Sequence, residues 1–229
     1  MKLNIFPSIV STRGASWEDQ IKEVQKLNLQ EVCLFLTCLK YDQRQKLYTL
    51  LAKTSVKTIP LLHLRSDMTL EEIDFLADNY KISAINIHSR KLYPFSFDLA
   101  TSKYKNQIFV ENTVRPLDEN EINKFGGICV DYSHLEDNKK QKNSIYYQWI
   151  DAMQKYPLGC GHIAAFKDKK IDFGNGYISY SAHKLDKLSE MDYLTSIDPK
   201  LFASILALEL ENSISEQLKI RDYINKILS

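Results

Sequence analysis

Glycine is scarce in this sequence. Seven glycines serve 229 residues, and none of them forms a Gly-x-Gly-x-x-Gly or Walker-type loop, which disfavours folds that cradle nucleotides on such loops. The four cysteines, Cys33, Cys38, Cys129 and Cys160, show no Cys-x-x-Cys spacing. That argues against a disulfide framework or a zinc knuckle and for free, buried thiols in a reducing compartment. No apolar run approaches the ~20 residues of a membrane-spanning helix, and the stretch inside Ile205 to Leu208 is typical of the longest. The amino terminus lacks the apolar stretch and small-residue cleavage site of a secretory signal. Charge of one sign is missing too: thirty basic residues against twenty-nine acidic ones leave +1, without the electrostatic footprint that nucleic acid or an anionic membrane calls for. The expectation is a soluble, cytoplasmic protein with a small-molecule substrate, no membrane partner and no strong case for nucleic acid. Homo-oligomerisation stays open.

What is present is a regular alternation. A hydrophobic content of 44% supports one sizeable core, and no Pro-, Gly- or Ser-rich linker divides the chain, so residues 1–229 read as a single domain. Eight short runs rich in Ile, Val, Leu and Phe read as strands: Leu3 to Val10, Glu31 to Leu36, Lys57 to Leu64, Ile82 to Ile87, Gln107 to Asn112, Gly127 to Tyr132, Gly161 to Phe166 and Ser204 to Leu210. Helical patterns separate them, with start signals at Ser16 to Asp19, Thr69 to Glu72, Asp118 to Glu121 and Ser213 to Glu216. Tyr93 to Lys105 carries Pro94 and is expected to be short or irregular, and Asp137 to Lys142 is expected to be an exposed loop. Strands alternating with helices predict an α/β fold, a (β/α)8 TIM barrel, with an open doubly wound sheet as the alternative.

All five histidines fall in related places along that alternation. His63 closes the third strand, His88 the fourth, His134 follows the sixth, His162 enters the seventh, and His183 lies before the last strand. Glu111 and Asp131 end the fifth and sixth strands, and Glu209 and Glu211 lie on the eighth. In a parallel barrel all carboxyl ends share one face, so these residues converge on one basin. A ring of imidazoles and carboxylates suits a divalent metal, Zn, Mn, Co or Fe. Without a metal, the same groups would form a network of hydrogen bonds. Arg13, Arg65, Arg90 and Arg115 also follow strands, where an arginine can hold an anionic group bidentately. Arg13, Arg65 and Arg90, together with Asn112 beside Glu111, are the substrate-binding candidates.

Four segments carry a resemblance: Val110-Glu111-Asn112-Thr113, Cys129-Val130-Asp131-Tyr132-Ser133-His134, Gly161-His162-Ile163 and Ala207-Leu208-Glu209-Leu210. In order and spacing they resemble the metal-bearing strands of the xylose isomerase-like TIM-barrel superfamily, over essentially the whole chain. That superfamily holds sugar and sugar-phosphate isomerases and epimerases and the endonuclease IV apurinic-site nucleases. The isomerase branch implies one divalent metal on Glu111, Asp131, His162 and Glu209, with Glu111 and Glu209 moving protons on a hydroxy-carbonyl substrate. The nuclease branch implies more metals, with His134 joining Asp131 and with His63, His88 and His183 as further ligands or supporting residues. Its Asp-x-His pair appears here as Ser181-Ala182-His183, and its strand-seven Asn-Asp as Ile163-Ala164. The first functional expectation is therefore a metal-dependent isomerase or epimerase. A multinuclear phosphoester hydrolase is the alternative, and a non-catalytic ligand-binding barrel is the third reading.

Overall fold

The computed structural model describes residues 3–113, 115–116, 118–174 and 178–229. In chain order the strands are β1 (Ile5–Phe6), β2 (Ser8–Val10), β3 (Cys33–Phe35), β4 (Thr58–His63), β5 (Lys81–Ile87), β6 (Ile108–Glu111), β7 (Gly127–Asp131), β8 (Leu158–Ile163), β9 (Ala165–Asp172), β10 (Ile178–Ala182) and β11 (Leu206–Leu208). The helices are α1 (Trp17–Lys26), α2 (Tyr41–Leu51), α3 (Leu70–Asn79), α4 (Glu119–Ile122), α5 (Tyr132–Lys140), α6 (Ile145–Lys155) and α7 (Ile214–Ile227). All strands except β9 and β10 lie in one parallel sheet, in the order β1-β11-β8-β7-β6-β5-β4-β3-β2.

β1 and β2 are two halves of one stave, separated by Pro7. Proline offers no amide hydrogen to a ladder, so the run breaks there. The first half pairs with β11 and the second with β3, which closes an eight-stave barrel. The seam is stapled by two buried glutamines. Gln217 accepts from the Ser8 amide at 2.7 Å and donates to the Ser8 carbonyl at 3.0 Å, while Gln20 accepts from the Val10 amide at 2.9 Å. Each satisfies main-chain groups that would otherwise be buried unpaired.

Two apolar layers follow from the period-two alternation of the strands. Val10, Cys33, Phe35, Leu61, Ala84, Cys129, Cys160 and Ala207 form a small inner cluster. Their neighbours, such as Ile9, Leu34, Leu62, Ile85, Val130, Ile163, Leu206 and Leu208, join the larger layer that the helices cover. Cysteine and alanine are common inside because a barrel interior has room for few bulky side chains. At the start of β7, Gly127 has φ +136°, and a Cβ there would stand 2.2 Å from the Pro157 carbonyl oxygen, so no other residue fits.

Several expectations need correction. The seventh strand spans Leu158–Ile163 rather than Gly161 to Phe166, which moves His162 from its entrance to its carboxyl end. The residues after it form an antiparallel hairpin, β9 with β10, that the lysine-rich pattern of Lys167 to Lys170 concealed. Most of 137–142 is helical, and Asp137 is buried because its carboxylate accepts from the Tyr180 amide of the hairpin and from Gln141. Cys38 is exposed, unlike the other three thiols. As expected for Tyr93 to Lys105, by contrast, only single 3₁₀ turns, Leu99–Thr101 and Lys105–Gln107, lie between β5 and β6. No helix among the described residues is long and apolar enough to cross a membrane.

Candidate functional site

Following the inner face up each stave leads from core to chemistry. Leu61 is followed two residues later by His63, Ala84 by Asn86 and then His88, and Phe109 by Glu111. Cys129 is followed by Asp131, Cys160 by His162 and Ala207 by Glu209. Because alternate residues share a face, apolar side chains that fill the barrel place polar ones at its mouth. Register aligns them: His63 pairs with Asn86 and Asp131 with His162. The Phe35 ring lies under the cluster, 5.6 Å from the His63 ring and 5.4 Å from that of His162.

Glu111 is the centre, with its side chain 2% exposed. Its Oε2 meets His63 Nε2 at 3.0 Å, Asn86 Nδ2 at 2.9 Å, His162 Nε2 at 3.3 Å and His88 Nε2 at 3.4 Å. On the other side of His162, Nδ1 faces Glu209 Oε2 at 3.0 Å and Asp131 Oδ2 at 3.5 Å. His134 Nε2 is 3.4 Å from Asp131 Oδ2, and His183 Nε2 is 3.6 Å from Glu209 Oε1. Asp131 is also the N-cap of α5: its Oδ1 accepts from the His134 amide at 2.9 Å and from the Ser133 hydroxyl at 2.7 Å. The cap fixes the carboxylate so that Oδ2 is left for the imidazoles.

Protons alone do not satisfy this cluster. Burial lowers the His63 pKa and favours a neutral ring, which carries a single N–H. His63 Nδ1 lies 3.0 Å from the Leu64 carbonyl and Nε2 lies 3.0 Å from a carboxylate, so one nitrogen turns a lone pair toward an oxygen. Both ring nitrogens of His162 and Nδ1 of His134 are buried without a well-formed hydrogen bond. Three overlapping groups, His63/Glu111/His162, Glu111/Asp131/His134 and Asp131/His162/Glu209, each bring ligand atoms within 4.8 Å of one another. Lone pairs converging from imidazole nitrogen and carboxylate oxygen fit a divalent transition metal with bonds of ~2.0 to 2.2 Å.

The charges are tightly coupled. Burial would raise the Glu111 carboxyl, but His88, His162 and His63 outweigh it and hold the group well below the usual carboxylate range. Burial would likewise lower His162, yet Glu111, Asp131 and Glu209 drive it well above an ordinary imidazole. Burial raises Glu209 less than His183 and His162 lower it, to about 2.

No protein-family model and no curated protein matches the sequence. Among solved structures, a xylose isomerase domain protein from Planctomyces limnophilus superposes with a TM-score of 0.50 and 11% identity, over 99% of this chain and 94% of that one. The chain shares the TIM-barrel fold of that protein. The probable 3-DHS dehydratase AsbF involved in petrobactin synthesis from Bacillus anthracis aligns over 99% of this chain and 98% of its own, with a TM-score of 0.43 and 10% identity.

The barrel thus brings Glu111, Asp131, His134, His162, Glu209, His63, His88 and His183 into one basin at its mouth. The other candidates are placed differently. The Asn112 amide is buried and spent on the Asp131 main chain, accepting from its N–H at 2.6 Å and donating to its carbonyl at 2.9 Å, so it positions a site residue. The Arg90 guanidinium is engaged by Glu121 and Asp98 and stacks over Phe125. Arg13 is exposed. Arg65 borders the basin in a cavity that also contains His88. Glu211 is turned away, accepting from the Thr12 hydroxyl and the Gly14 amide, and so ties down the loop after β2. Sequence reasoning missed Asn86, although it stands two residues before His88, the spacing that puts side chains on one face of a strand, and it gave no role to Ser133, which lies in the first turn of α5 and bonds its N-cap Asp131. Ser181, already singled out beside His183, brings its hydroxyl to 2.7 Å from that of Ser133.

One consequence can be measured directly. Because Glu111, Asp131 and Glu209 favour the protonated form of His162, an ion that takes its nitrogen competes with a proton. Calorimetric titration with Zn²⁺ in two buffers of different ionisation enthalpy is expected to report release of about one proton or more per chain, with affinity rising as pH rises. Heat independent of buffer would show that no ion displaces a proton from the cluster.

Proposed function

We propose that this barrel is a metal-dependent phosphoester hydrolase that works with at least two divalent ions in its mouth. The number of donors carries the reading. Five imidazoles and three carboxylates meet in one basin, whereas one transition-metal ion takes only about four to six ligands. The three overlapping groups share Glu111, Asp131 and His162 pairwise, as bridging ligands between neighbouring ions would. His63, Glu111 and His162 would hold one ion, and Glu111, Asp131 and His134, or Asp131, His162 and Glu209, would supply the donors for another. When bound, such ions polarise a phosphoryl oxygen and make water acidic enough to attack at neutral pH. Asn86 and Ser133 restrain the carboxylates, and the apolar floor of Phe35 excludes bulk water from below.

The isomerase reading asks Glu111 and Glu209 to carry protons across a substrate. Glu111 is enclosed by four nitrogens and its acidity is strongly increased, which makes it a poor base toward a C–H and a good ligand. Near-zero net charge directs the proposal to small soluble phosphate esters rather than to nucleic acid.

The test is metal analysis of protein purified without chelator, followed by assays on phosphomonoesters and phosphodiesters with Zn²⁺, Mn²⁺ and Co²⁺. Two or more ions per chain and chelator-sensitive hydrolysis are expected. One ion per chain, with solvent deuterium entering a ketose or aldose, would replace this reading by the isomerase. No ion and no turnover would leave a ligand-binding barrel.

A further inference from the structure

A cavity of about 290 Å³ opens beside the cluster, over the carboxyl ends of β3, β4 and β5. Thr37 follows the first of these strands, Leu64 to Asp67 the second, and His88, Tyr93 and Phe95 the third. His88 belongs to both places: it lines the cavity while its Nε2 stands 3.4 Å from Glu111 Oε2. Its ring lies 5.2 Å from that of Tyr93, which is 51% exposed and therefore has open ring surface.

The arginine in this cavity is held unusually firmly. Arg65 Nε donates to Asp67 Oδ1 at 2.9 Å and Nη1 donates to the Thr37 carbonyl at 3.0 Å, while Nη2 makes no hydrogen bond among the described residues. The same Asp67 oxygen accepts from Nη1 of Arg44 at 3.0 Å. Arg44 is fully buried and grips Glu72 through Nε at 2.7 Å and Nη2 at 2.9 Å. Burying an ion pair is costly, and replacing one by apolar residues is often neutral or stabilising. Here it anchors the aspartate that orients Arg65.

We propose that this cavity seats a planar heteroaromatic ring of the substrate, one bearing carbonyl or ring-nitrogen acceptors. The ring lies against Tyr93 and Phe95, an acceptor on it is met by Arg65, and the attached phosphate extends past His88 to the cluster. Aromatic faces favour a flat ring over an alkyl or sugar group of equal size. A fixed guanidinium favours a ring with acceptors over plain phenyl. The proposal rests on the phosphoester reading for what the ring is attached to, but its test does not require turnover.

Ligand-observed saturation-transfer NMR and calorimetry would be run on the Zn²⁺-loaded chain with three probes: adenosine 5′-monophosphate, phenyl phosphate and ribose 5-phosphate. Saturation of the adenine protons is expected, with affinity roughly tenfold above that for ribose 5-phosphate and phenyl phosphate in between. Tyr93→Ala should reduce the gap between adenosine monophosphate and ribose 5-phosphate to about twofold or less, and Arg65→Ala should remove the advantage of adenine over phenyl. Asp67→Ala, which frees Arg65 without removing it, should reproduce part of the second effect. Far-ultraviolet circular dichroism of each variant checks that it is folded, and Tyr93→Ala changes an exposed side chain. Equal affinities for the three probes, or ring saturation that survives both Tyr93→Ala and Arg65→Ala, would overturn the assignment even if phosphoesters are hydrolysed. Selective ring binding without hydrolysis would uphold the cavity and refute the hydrolase.

Discussion

Glu111→Ala is expected to abolish metal binding at the proposed site. The substitution removes the one oxygen on which His63, His88, His162 and Asn86 converge. His63 and His88 then lose their carboxylate partner, and His162 keeps only Glu209 and Asp131 on its other side. Loss of an outer-sphere partner commonly lowers metal affinity 10- to 100-fold, so loss of a bridging carboxylate should exceed ~100-fold and reduce hydrolysis by ~1000-fold or more. Metal content after gel filtration, alongside phosphoester turnover, reads both effects. Asn86→Ala is the companion: it leaves every ligand in place and removes one donor to Glu111 Oε2, so it should fall within the 10- to 100-fold range. Wild-type metal content in Glu111→Ala would exclude Glu111 as a ligand, and with it the proposed site.

The largest effect on stability is expected away from the cluster, at Arg44. Arg44→Ala leaves Glu72, 4% exposed in its side chain, without the guanidinium that balances its charge. Tyr48, whose hydroxyl donates to Glu72 Oε1 at 2.8 Å, cannot replace a cation. Breaking a buried pair on one side costs about 3 to 5 kcal/mol. For a chain of this size each kcal/mol lowers Tm by roughly 2 to 4 °C, so a fall of about 6 to 20 °C is expected in differential scanning calorimetry. The double variant Arg44→Met/Glu72→Leu removes both charges and should recover most of that loss. A fall as deep as that of the single variant would mean that the pair does more than neutralise itself. A fall of under ~2 °C in Arg44→Ala would show that Glu72 is solvated or protonated at little cost.

The sequence by itself determined the parallel α/β class and most of the cluster, while the choice of a closed barrel over an open doubly wound sheet needed the structure. Seven of the eight staves were legible in place, because strands covered on both faces must be apolar throughout and several of the helices between them start on capping residues. Glu111, Asp131, His162 and Glu209 were legible as a converging set for a topological reason: parallel strands in a barrel bring all their carboxyl ends to one face, whatever their separation along the chain. The seventh strand was displaced by several residues, since Ala165 and Phe166 continue an apolar run past the true end of β8 into a hairpin that sequence alone did not separate.

Tertiary structure decided what each polar side chain is used for. Asn112, Arg90 and Arg65 look alike in the sequence as polar residues after strands. Packing commits the first to the Asp131 main chain and the second to Glu121 and Asp98, and leaves the third at a cavity. The choice between Glu209 and Glu211 was of the same kind. They stand two residues apart, yet Glu209 meets His162 and His183 while Glu211 is drawn to the loop after β2. Strand position fixes the face from which a side chain starts, but the partners that satisfy its charge come from other staves and loops. Only the closed barrel brings those partners within hydrogen-bonding range.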